Sequence, residues 1–122
     1  MVQRNPTYPV LPVTGDFDDV IVVEWTGLLN GDTMGPVQLP NLVDRSIQVA
    51  GAFGIGGSLR VLGTNFSTFI NEVPLNDAQG NILDITAAKI EQILEMTLFI
   101  GGTVTAGDGT TSLTVRLLAK RG

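Results

Sequence analysis

The chain has 122 residues, a formal net charge of −5, 16% charged residues, and neither cysteine nor histidine. That length suits one domain able to bury a core without disulfides or metals. The missing residue types remove disulfides, thiol nucleophiles, structural zinc sites and the commonest general base. Seven scattered basic residues (Arg4, Arg45, Arg60, Lys89, Arg116, Lys120, Arg121) give no stripe for nucleic acid or an anionic membrane surface. No apolar run approaches the ~18 residues of a membrane span, and Met1–Pro6 lacks the apolar stretch of a signal peptide. The charged fraction falls well below the usual ~25%, so part of the apolar surface is expected to face a partner.

In chain order, Pro6, Pro9 and Pro12 recur every third residue and favour extended backbone. Tyr8, Val10, Leu11 and Val13 sit between them, so residues 1–14 read as an extended arm whose apolar side chains seek burial. The arm lies on this domain or on a neighbouring subunit, and those four residues are the candidate assembly contacts. Residues 15–122 then form one domain. After the acidic turn Gly15–Asp19, the β-branched run Val20–Trp25 predicts a central strand covered on both faces. Asn30–Asp32 is a turn, and Pro36–Pro40 an edge piece bracketed by prolines.

Ile47–Val49 and Leu59–Leu62 alternate across the glycine-rich stretch Gly51–Ser58 and predict a hairpin. Gly63–Ser67 and Asn76–Asn81 are turns. Thr86–Glu95 is the one helical candidate, capped by Thr86, with Ile90, Ile93 and Leu94 on one face. Leu98–Thr105, the loop Ala106–Thr111, and the alternating Leu113, Val115, Leu117 and Ala119 predict a second hairpin. Gly101-Gly102 implies a bulge or a close backbone approach. The fold expected is all-β, an antiparallel β-sandwich or jelly-roll-like barrel with one short helix and the N-terminal arm.

Chemistry is sparse. Asp16, Asp18 and Asp19 have calcium-compatible oxygens but read better as a solvated turn. Asn76–Asn81 lacks the alternating acids and distal glutamate of a calcium loop. Gly54–Gly57 is not followed by the Gly-Lys-Ser/Thr of a phosphate cradle. Trp25 lies in the most apolar segment and is assigned to the core. No residue is assigned to catalysis, a cofactor or a metal.

Three stretches carry a resemblance: Ser46–Val49 with Gly56–Asn65, Leu75–Asn81 with Thr86–Ala88, and Gly107–Leu118. Together they resemble small structural proteins of tailed-phage and prophage virions, over roughly residues 37–120. The resemblance implies a non-catalytic capsid decoration, or cement, protein that stabilises the head by binding between capsomers. It implies the major capsid protein as partner, a homo-oligomer with a trimer favoured, assembly in the host cytoplasm, and a place on the outer capsid surface. A tail or baseplate structural protein is the alternative within that group. Leu59–Phe69 also resembles the strand and turn of discoidin-like carbohydrate-binding sandwiches, although Gly63–Ser67 replaces their usual polar turn.

Overall fold

A computed structural model describes residues 2–9, 20–39 and 42–121. These form ten strands and no helix: β1 (Gln3–Arg4), β2 (Val20–Leu28), β3 (Thr33–Gln38), β4 (Asp44–Ala52), β5 (Ser58–Thr64), β6 (Val73–Pro74), β7 (Asp84–Ile85), β8 (Lys89–Gln92), β9 (Phe99–Ala106) and β10 (Ser112–Lys120). One sheet runs β1-β3-β9-β5, with β6 and β7 both paired to β5; the other runs β2-β10-β4-β8. All of these pairings are antiparallel except β1 with β3. The molecule is an all-β, sandwich-like pair of sheets without barrel closure among the described residues, so the barrel alternative is set aside.

Period-two alternation builds the core. Leu113, Val115, Leu117 and Ala119 all point inward from β10, flanked by Val23 and Trp25 of β2 and by Ile47 and Val49 of β4. Leu59, Val61, Ile100 and Val104 face them from the opposite sheet. Gly101 and Gly102 mark close packing, as the sequence implies. A Cβ on Gly102 would stand 2.6 Å from the Arg60 carbonyl, and one on Gly101 would press the Phe69 ring at 3.0 Å. Trp25 is fully buried, and its indole N–H donates to the Gly35 carbonyl at 2.9 Å. That carbonyl lies where the register of β3 shifts, between Met34 and Val37.

Four expectations are corrected. The predicted helix over Thr86–Glu95 is replaced by β8, which pairs with Ser46–Val49 of β4. Ile93 is buried while Ile90 and Leu94 are exposed, so the helical stripe never forms a packed face. A ten-residue helix has little stability of its own, and the hydrogen-bonding edge of β4 outcompetes it. Neither predicted hairpin exists, because β4 and β5 lie in different sheets, as do β9 and β10. The connecting residues 53–57 and 107–111 are arches between sheets. Alternation fixes which face of a strand is apolar and leaves its partner open. The Val20–Trp25 strand is not central: β2 ends its sheet, with Val23 and Trp25 inward and Val22 only half-buried. The proline-bracketed edge piece, finally, overlaps β3, which sits inside its sheet between β9 and the two-residue β1.

Candidate functional site

The interior of the described residues is mostly apolar. Its buried polar groups (Asp32, Arg45, Ser58, Thr64, Thr97 and Thr111) tie loops and edges together. Asp32, in the turn between β2 and β3, accepts the Leu29 N–H at 2.9 Å, the Arg4 guanidinium at 3.0 Å and the Val2 N–H at 3.1 Å. Burial alone would raise this carboxyl. The three donors outweigh that effect and hold its pKa below the ordinary value.

Arg45, 1% exposed, donates to the Leu42 carbonyl at 2.6 Å, the Leu39 carbonyl at 2.7 Å and the Thr97 hydroxyl at 3.3 Å. Burial pushes its guanidinium pKa downward. At the arches, Asp108 accepts the Ile55 N–H at 2.9 Å and both the N–H and hydroxyl of Thr110, at 2.8 and 2.6 Å. The Thr110 hydroxyl leads the donors that pull its carboxyl down to about 2. Thr111 donates its hydroxyl to the Phe53 carbonyl at 2.8 Å, so the two arches are bound to each other. Gly54 has φ +71°, and a Cβ there would collide with the Asp108 carboxylate.

The two flanks of the sandwich differ. On one, residues 2–7 cover both sheet edges: β1 pairs with β3, and Thr7 exchanges two 2.8 Å backbone bonds with Glu24 of β2. On the other, the segments around β6, β7 and β8 meet through Glu95, which accepts the backbone N–H and side-chain amide of Asn76 at 2.7 and 2.5 Å. Burial would raise the Glu95 carboxyl, but these bonds lower it. Along this second side Phe66, Ile70, Val73, Ile82, Leu94 and Met96 are all exposed, together with Ile90. A groove of about 340 Å³ opens beside it on the outer face of β3 and β9, lined by Pro36, Leu62, Phe69, Thr103 and Glu72. A smaller one of about 260 Å³ crosses the outer face of the other sheet, between Val22, Leu118 and Ile90.

Of the predicted assembly contacts, Tyr8 is 60% exposed, next to the Thr7–Glu24 bridge. Val10, Leu11 and Val13 lie outside the described residues, as do Asp16, Asp18 and Asp19. In the Asn76–Asn81 turn, Asp77 spends its carboxylate on the N–H groups of Gln79 and Asn81, at 2.9 and 3.0 Å. No cluster of three or more metal-ligating acids occurs among the described residues. Sequence reasoning missed Asp32 and Arg45, whose partners come from other strands and loops. It also missed the exposed apolar side chains between Phe66 and Met96.

No family model matches the chain, and no curated protein matches it. One solved structure, described as the structure of KdgF from Halomonas sp., aligns over 95% of this chain and 89% of its own length. Its sequence is 14% identical and the TM-score is 0.41.

Proposed function

We propose that the chain is a non-catalytic virion structural protein that decorates and stabilises a tailed-phage capsid from its outer surface. In this reading it binds the major capsid protein between capsomers. The supporting observation is the apolar flank. Seven large hydrophobic side chains stand exposed over residues 66–96 of a small chain poor in charge. Exposed apolar side chains gathered in one stretch of chain fit a surface that a partner covers. The filled interior and the structural use of its buried polar groups fit a building block. A lattice then repeats one modest contact many times.

The three resembling stretches fall on β4, β5 and β10, on the arches, and on the turn between β6 and β7. They are therefore mostly scaffold, and the contact residues are assigned from exposure. Phe66 and Ile70 are the first to test. Purified heads lacking the protein should bind the wild type, while Phe66→Ser with Ile70→Ser should weaken attachment at least about tenfold, as loss of interface anchors does. Equal binding by both would overturn the role of this flank. Recovery of the protein only with separated tails, by mass spectrometry, would move it to the tail.

The arm is better tested by Tyr8→Ser than by deleting residues 2–14. Val2, Arg4 and Thr7 also hold the chain's own fold together. A glycan-binding role would rest on the exposed Tyr8, because Trp25 is sealed in the core.

A further inference from the structure

We propose that the free edge of β8 is a self-association site, which pairs with β8 of a second copy about a two-fold axis through Ile90. The argument goes beyond the capsid reading and holds without it. No described strand covers the side of β8 that faces away from β4. Ile93 donates its N–H to the Arg45 carbonyl at 3.0 Å, in register with the pairs from Ser46–Gln92 to Val49–Lys89. Antiparallel ladders alternate, so Glu91 and Lys89 also bond toward β4. Ile90 and Gln92 therefore turn their N–H and C=O groups outward. Leu94 obeys the same parity, but its N–H is already spent on the Asn76 carbonyl at 2.9 Å. The open donors and acceptors thus centre on Ile90, itself 60% exposed.

Edge strands usually resist pairing by carrying charge. Here the charges select a register. A two-fold axis normal to the sheet must pass through a residue, because facing residues in an antiparallel pair share a face. With the axis at Ile90, each Ile90 N–H donates to the second copy's Ile90 carbonyl, and the two side chains meet. Each Lys89 then stands opposite the second copy's Glu91, twice over. These two side chains already share a face, since they pair within the chain at 3.7 Å. An axis at Glu91 would pair the outward backbone groups of Ile90 with those of Gln92, but it would set two carboxylates against each other and leave each Lys89 without a carboxylate opposite. One at Gln92 would match Ile90 with Leu94, whose N–H is spent. The Lys-Ile-Glu triplet is self-complementary in one register only. Its occupant is accordingly a second copy of this chain.

Sedimentation equilibrium of the full chain at high micromolar concentration tests this. The wild type should form dimers. K89E and E91K should each weaken dimerisation about tenfold by replacing two attractive cross-strand pairs with repulsive ones. The double reversal K89E/E91K should restore it. I90P should abolish the dimer and leave the unfolding midpoint unchanged, because it removes an outward donor that the fold does not use. A monomer at every concentration overturns the proposal. So does any oligomer that ignores the single reversals, and so does failure of the double reversal to restore dimers. Head binding is read separately through Phe66 and Ile70, so either idea can fail alone.

Discussion

The two flanks of this sandwich solve the same problem in opposite ways. Each exposes the edges of two sheets, with backbone donors and acceptors that need partners. On the β1–β2 side the chain supplies them itself. Its N-terminal residues bridge from β3 to β2, and the buried Asp32 anchors them through two hydrogen bonds, from Val2 and Arg4, while Leu29 holds it in its turn with a third. On the β6–β8 side, Asn76 joins the segments through its bonds with Leu94 and Glu95, while seven large apolar side chains are exposed. The difference shows where intramolecular stability ends and association begins. A flank sealed by a buried carboxylate is committed to its own chain. One left apolar and short of backbone partners is available to others.

The sharpest way to break this comparison is Asp32→Ala. It leaves the Arg4 guanidinium and the Leu29 and Val2 N–H groups without their acceptor, and should cost about 3 kcal/mol in denaturant unfolding. A loss below about 1 kcal/mol would mean that the sealed flank is no more fixed than the open one.

Acid comes next. The Asp32 and Asp108 carboxyls are both held below their ordinary value of 3.8, Asp108 at about 2. A depressed carboxyl contributes its full stability above the unfolded pKa and loses it as pH falls through the folded one. Stability should therefore be insensitive to these groups above pH ~5 and decline toward pH ~2. Asp32→Ala should flatten part of that decline, and an unchanged acid slope would remove Asp32 from the account. The smallest effect belongs to the open flank. Ile82→Ser should change monomer stability by no more than about 0.5 kcal/mol, as exposed positions do. A larger loss would show that this side chain is part of the fold.

Legibility followed the range of each interaction. The inward set Leu113, Val115, Leu117 and Ala119, the buried Trp25 and the tight packing at Gly101-Gly102 were readable because each depends on local alternation or on backbone space. Of the assembly contacts read from the sequence, Tyr8 is the one among the described residues, and it is exposed. Ile90 and Leu94 were hidden inside a helical pattern. A stripe at positions i, i+3 and i+4 and a short edge strand place apolar residues alike over so few positions.

The sequence by itself determined an all-β chain without cysteine or histidine chemistry, with turns and strand faces near their observed places. Alternation and turn residues act over a few neighbours, so one strand carries them. Only the tertiary structure decided which sheet each strand joins. It made arches of two apparent hairpins and turned the apparent helix into the edge strand β8. It also gathered Val2, Arg4 and Leu29 around Asp32. Those outcomes depend on hydrogen bonds between segments far apart in the chain, as between the guanidinium of Arg116 and the carboxylate of Glu24, 92 residues away. No local pattern encodes them.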